Sequence, residues 1–353
     1  MASNPYSDLP DDRFWRKAVA GTPPFAIDPI TSTPFKIAPT DKVATAGSCF
    51  AQHIAKRLQR GGFNYYQPES APAGMSADEA QARQYGVYSC RYGNIYTTRQ
   101  LVQLFDRAYG AFTPTLDVWT RKDGRFVDPF RPRVEPDGFP TAEAMRAARV
   151  DHLAMVRRMF ETLDVFVFTF GLTEGFVHTA DGAALPLAPG VAGGVWDESA
   201  YAFTNARVGD VVADFLAFVD RLRAVNPGAR IIVTVSPVPL VATAAPRHVL
   251  VSNTVSKSIL RAAADEVCAA RDNIGYFPSY DLIAFGPNAV KFYASDLRDV
   301  TEIGVNSVMR VFFAHFVEGG AGAAPVKHLT VDVARESAEA SKIVCDEEAI
   351  QAA

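Results

Sequence analysis

Apolar positions along the chain fall into two rhythms, short unbroken runs and longer stretches spaced three to four residues apart, and the two alternate. Val43-Ala44-Thr45-Ala46 has the length and small apolar side chains of a buried strand. Gly47-Ser48 then reads as a tight turn, after which Phe50, Ile54 and Leu58 recur at helical spacing. A second strand is expected over Asp164 to Gly171, a run apolar enough to be buried on both faces. The amphipathic stretch Val208 to Val225 predicts a helix, stopped by Asn226-Pro227-Gly228 and followed by a strand at Arg230 to Val235. A helix from about Thr254 to Arg271, a strand at Ile274 to Phe277 and a helix from about Thr301 to Phe316 complete the series. Strands that alternate with helices predict an α/β fold with a parallel sheet covered on both faces. Ligands in such sheets bind beyond the carboxyl ends of the strands.

Two segments interrupt the alternation, about 67–150 and about 178–205, and both are expected as insertions that shape a pocket or a lid. Residues 1–40, rich in Pro and Asp around the cluster Phe14-Trp15-Arg16-Lys17, are expected as an arm lying across a main domain of residues 41–318. From Gly319 the Gly/Ala-rich sequence reads as a linker, and 319–353 as linker plus polar tail.

Composition narrows the function. The 35 Lys+Arg against 39 Asp+Glu give a net charge of −4, which leaves no positive field to collect phosphates and argues against nucleic-acid binding. A small neutral or cationic substrate fits as well as any. Cys49, Cys90, Cys268 and Cys345 form no CxxC pair, so neither a zinc ribbon nor a secreted disulfide framework is expected. Met1 to Pro10 lacks the basic start and apolar stretch of a signal peptide, and no window reaches the 18 or so apolar residues of a membrane span. These features predict a cytoplasmic protein without a membrane span. No P-loop, dinucleotide fingerprint or metal-ligand cluster is present in the sequence, and no cofactor is required by it.

Ser48 stands where the first strand gives way to a helix, so its hydroxyl is expected at the carboxyl edge of the sheet beside the first unpaired helical N–H groups. That position suits a nucleophile whose reaction builds an oxyanion. It equally suits an ordinary N-cap. Cys49, at the same helix start, offers either a thiol of lowered pKa or a small buried side chain. Glu174 is placed to accept hydrogen bonds, and Lys257 with Arg261, one turn apart on a helix, forms a basic pair able to meet an anion. Among the six histidines, His178 and His248 follow sheet strands at the carboxyl edge; His53, His152, His315 and His328 fall in helices or the tail.

The string Ala46-Gly47-Ser48-Cys49-Phe50-Ala51 spells the motif of the GSCFA family, which is similar to the SGNH (GDSL-type) hydrolases and acyltransferases. Further blocks resemble the same family: Arg91 to Thr97, Gly171-Leu172-Thr173-Glu174, Thr234 to Val238, Ser256-Lys257-Ser258, Tyr276 to Tyr280 and Tyr293 to Arg298. The resemblance covers about residues 40–317. It implies a three-layer α/β/α sandwich with flavodoxin-like strand order, Ser48 as nucleophile, and Gly93 or Asn94 as an oxyanion-hole donor. Thr173 stands where the SGNH pattern has an amide-bearing Asn, and Gly171 lines the site. At the end of the pattern, Asp-x-x-His is replaced by Asp296-Leu297-Arg298-Asp299, so Asp299 occupies the place of the general base. A carboxylate is a weak base toward a serine hydroxyl unless burial or Asp296 raises its pKa. His248, in a stretch where family members also tend to carry a histidine, is the expected substitute, with Asp296 or Asp299 orienting it and His178 nearby.

The resemblance therefore implies a serine-dependent esterase or O-acyltransferase acting on a carbohydrate or a bacterial polysaccharide precursor, with a coenzyme A thioester as acyl donor. The alternative is a ligand- or glycan-binding protein on a degenerate scaffold, marked by Asp299. Oligomeric state is not readable from the residues.

Overall fold

A computed structural model of the chain describes residues 4–319 and 343–352. Four parallel strands, β1 (Val43–Gly47), β4 (Val165–Phe170), β8 (Arg230–Val235) and β9 (Ile274–Phe277), lie side by side in that order. Beyond β1 the edge carries a single parallel bridge between Val43 and Tyr65. Counting Tyr65, the order across the sheet is the 2-1-3-4-5 order of flavodoxin-like sheets, with the second strand reduced to one residue.

Period-2 alternation sends each strand's side chains to two separate cores. Ala44, Ala46, Phe166, Phe168, Phe170, Ile231, Val233 and Val235 face one layer, formed by α3 (Thr98–Ala108), α4 (Ala142–Thr162), α5 (Val208–Val225) and α6 (Val249–Ala270). Val43, Val165, Val167, Ile232 and Phe277 face the other, formed by α1 (Ala51–Arg60), α7 (Ser279–Ala284), α8 (Gly286–Phe292) and α9 (Glu302–Phe316). Because every strand is buried on both faces, the strands read as continuous apolar runs. The result is the three-layer α/β/α arrangement.

The segment expected as an insertion at 67–150 holds α2 (Ala77–Ala82), the small hairpin β2 (Trp119–Thr120) and β3 (Phe126–Val127), but also α3, which packs in the main core through Leu101, Leu104 and Phe105. Thr97 and Gln100 start α3 with a capping box, each side chain accepting a backbone N–H of the other. Residues 178–205 add β6 (Ala184–Leu185) and β7 (Tyr201–Asn205) to β5 (Glu174–His178) in a three-stranded antiparallel sheet, with loops between them. The N-terminal arm crosses the second layer: Trp15 packs edge-on to Phe285, and Ile37 bridges Val317.

The carboxyl end differs from a polar tail. Residues 320–342 lie outside the described ones, but Ile343 to Ala352 fold back onto the sheet's carboxyl edge through Asp346–Glu348 and a last short helix, α10 (Ala349–Ala352). Cys345, Asp346 and Glu347 are buried there, the last two being charged residues that burial would penalise without partners.

Candidate functional site

β1 ends on Gly47 at φ +126°, where a Cβ would stand 2.4 Å from the carbonyl oxygen of Thr169. Only glycine lets the two strands meet so closely while the chain turns. Ser48 N–H donates to that same Thr169 carbonyl at 3.2 Å, and Ala51 N–H closes a turn on the Ser48 carbonyl at 3.0 Å before α1 begins. The helix cap position falls on Phe50, whose side chain caps nothing. The Ser48 hydroxyl is buried and has no hydrogen-bond partner among the described residues, so the N-cap alternative does not describe this serine.

Two further turns close on it. Ile95 N–H donates to the Gly47 carbonyl at 2.9 Å, and the Tyr96 carbonyl accepts from Gly171 and Leu172 at 3.1 and 3.0 Å. A Cβ on Gly171 would lie 3.0 Å from Ser48 Cβ, so this glycine forms one wall of the site. Beneath it, Lys257 on the inner face of α6 donates its ammonium to the Gly171 carbonyl at 2.8 Å.

The histidines are engaged elsewhere. His248 is exposed at the start of α6, where Nδ1 accepts from Leu250 N–H at 3.1 Å, and His178 sits 3.3 Å from both Thr115 and Asp181. Neither reaches the unpartnered Ser48 hydroxyl. His53 packs with its ring tilted against Phe50, and burial with Lys56 and Arg57 nearby pushes its pKa down to about 3. His152 and His315 pair with Glu69 and Asp28. His328 lies outside the described residues.

Of the remaining expected residues, Thr173 donates both its N–H and its hydroxyl to Ser256 at 3.1 Å, and Glu174 accepts from Thr243 at 2.8 and 2.9 Å. Asp296 accepts from the N–H groups of Arg298 and Asp299, holding a turn in which Leu297 has φ +56°. Asp299 is exposed at that turn; the burial it does have, with Asp296 beside it, raises its carboxyl pKa. Arg298 turns inward instead. The basic pair separates, since Arg261 joins Asp281 at 3.0 Å while Lys257 is buried. Cys49 is not an activated thiolate: its hydrogen bond with Cys345, and then burial, push the thiol pKa well up.

The C-terminal segment covers this site, and none of its contacts was legible as a site feature in the sequence. Gln52 exchanges two hydrogen bonds with the backbone of Val344, at 2.7 and 3.0 Å. Asp346 Oδ2 accepts from Asn94 N–H at 3.2 Å, and the carboxyl stands 3.3 Å from where a Gly93 Cβ would be. Glu347 N–H donates to the Tyr96 hydroxyl at 3.1 Å, and its carboxylate lies 3.8 Å from Arg298. Burial raises the Glu347 pKa to about 7, Arg298 and Lys257 pulling the other way, and burial lowers the Lys257 pKa to about 8. An acidic side chain is thus held among two cations at the sheet's carboxyl edge. Beside the segment opens a cleft of about 1070 Å³, lined by Ile343, Val344, Arg133 and the loop Gly190 to Trp196.

A mostly parallel sheet covered by helices on both faces, with a serine buried after its first strand, defines an α/β/α protein. The GSCFA family matches residues 42–312, and the chain belongs to that family. No curated protein matches it. Among the described residues no helix is long and apolar enough to cross a membrane, and no cluster of His, Cys, Asp and Glu is arranged to hold a metal ion.

Proposed function

We propose that the protein is a serine-dependent acyl-ester enzyme of SGNH type, in which Ser48 attacks an acyl carbonyl and passes the acyl group to water or a sugar hydroxyl. The observation that carries this is the Ser48 hydroxyl, buried without a hydrogen-bond partner at the carboxyl edge of the sheet. A buried polar atom left unsatisfied costs about 1–3 kcal/mol, and structure alone gives no return for it here. The oxyanion would rest on Asn94 N–H, which already binds a carboxylate oxygen of Asp346. The acyl group would be acetyl, delivered as a coenzyme A thioester to a carbohydrate or polysaccharide precursor in the cytoplasm; this follows the family resemblance and the reducing-compartment cysteine usage.

In this scheme Lys257 takes the serine proton. Its ammonium is bonded to the Gly171 carbonyl and not to the Ser48 hydroxyl in this structure, so it must turn from that carbonyl to reach the serine; burial lowers its pKa to about 8, which leaves a fraction as free amine near neutrality. Because the amine must be deprotonated, kcat/KM for p-nitrophenyl acetate is expected to rise with pH and level off above about 8. Lys257→Arg, which cannot deprotonate, should lower turnover about 10²-fold or more and remove that limb. His248→Ala should leave the profile in place. Loss of activity in His248→Ala with retention in Lys257→Arg would reverse the assignment of the base.

The second reading, a ligand-binding protein on a degenerate scaffold, is favoured by the absence, among the described residues, of an imidazole at Ser48 and by the burial of its hydroxyl. It predicts no turnover at any pH.

A further inference from the structure

Glu347 brings a carboxylate to Arg298 and Lys257, and Asp346 brings another to Asn94 N–H, both buried at the sheet's carboxyl edge. The same ten-residue stretch lays Cys345 on Cys49 and hydrogen-bonds its backbone to Gln52, in the first turn of α1. These contacts fall on the turn after β1, the first turn of α1, the turn at 93–96, α6 and the turn at 293–300, at the sheet's carboxyl edge where Ser48 lies. The segment is therefore seated in the place a ligand must take to reach the serine.

With the segment in place Lys257 is buried and Arg298 is 15% exposed; if the segment lifts, both lose the Glu347 carboxylate that faces them. Removing one partner of a buried ion pair is far more costly than replacing it. Whatever displaces the segment must supply the missing negative charge, and an acceptor for Asn94 N–H as well. We propose that the groove over Ser48 is a carboxylate-recognising ligand site, and that Ile343–Ala352 is its intramolecular occupant, a competitive cover that a carboxylate-bearing ligand such as an acidic sugar displaces. This deepens the reading of the Ser48 site as a ligand site but does not require that acyl transfer occur there.

The test uses the full chain and a readout independent of turnover. In the native protein, mild oxidation with copper phenanthroline is expected to join Cys49 to Cys345, each thiol losing its hydrogen and the oxidant taking the two electrons, as seen by peptide mapping. Linkage through Cys90 or Cys268 in place of that pair, or no linkage, would overturn the seating of the segment. In full-length Asp346→Asn/Glu347→Gln, iodoacetamide should alkylate Cys49 about ten-fold faster or more than in the native chain, two charge-assisted contacts having been lost. Glu347→Gln alone should give a smaller increase in the same direction, which guards against a double variant that misfolds. Added glucuronate should slow alkylation of the variant while glucose does not. Equal alkylation rates in native and variant chains, or protection by glucose equal to that by glucuronate, would refute the proposal; failure of esterase activity with these results intact would refute only the acyl chemistry.

Discussion

Ser48→Ala is expected to abolish turnover of p-nitrophenyl acetate, lowering kcat about 10³-fold or more, while leaving the protein as stable as before or about 1 kcal/mol more stable. The two halves of this outcome have one cause. A serine hydroxyl that capped a helix or closed a network would lose stability on truncation, typically by about 1 kcal/mol. The Ser48 hydroxyl has no partner among the described residues, so its removal forfeits no hydrogen bond there and relieves an unsatisfied buried oxygen. Urea unfolding of the two chains, alongside the esterase assay, measures both. A variant less stable by about 2 kcal/mol with activity unchanged would make Ser48 a structural residue.

Gly47→Ala should be among the most destabilising single changes in the molecule, about 4 kcal/mol or more, with loss of the site as a consequence. A methyl group there would stand 2.4, 2.6 and 2.9 Å from Thr169 O, N and Cα. These are backbone atoms of the central strand β4, paired in register with Gly47, and they have no side-chain freedom with which to withdraw. The positive φ adds its own cost for any residue with a Cβ. Since β1 and β4 must separate to admit the methyl, the turn carrying Ser48 moves with them. An unfolding midpoint shifted by less than the equivalent of about 1 kcal/mol would mean that the close approach of the strands is not maintained in solution.

The sheet was legible because burial on both faces leaves a signature that needs no tertiary information: Val165 to Phe170 and Arg230 to Val235 are strands almost to the residue. α6 begins a turn earlier than its apolar spacing indicates, because His248, through Nδ1, caps it, a role that local pattern does not assign to histidine. The site divides in the same way. Ser48 and Gly171 come together because they follow β1 and β4, whose edge is fixed by topology, and Asn94 is held beside them where Ile95 N–H bonds the Gly47 carbonyl. His248, Asp296 and Asp299 do not join them, since the first two serve their own backbone and the third faces solvent. Lys257 had a signal, its place three and seven residues before Leu260 and Ala264 on the buried face of α6, but a lysine on such a face reads as solvated unless an acceptor is known. The acceptor, the Gly171 carbonyl, is 86 residues away in sequence. The cover was least legible of all. Ile343-Val344-Cys345 is an apolar triplet in a polar stretch, and only the three-dimensional structure reveals that it lies on Gln52 and Cys49.

That Ser48 is the acyl-accepting atom is tested most directly by stopping the reaction of full-length Asp346→Asn/Glu347→Gln with p-nitrophenyl acetate in acid and mapping the acetyl group by mass spectrometry. The account predicts acetylation on the peptide containing Ser48, assigned to its hydroxyl, and absent from the same chain carrying Ser48→Ala. Acetyl found only on Lys257, on Cys49 or on surface lysines, with the Ser48 hydroxyl unmodified throughout turnover, would contradict it.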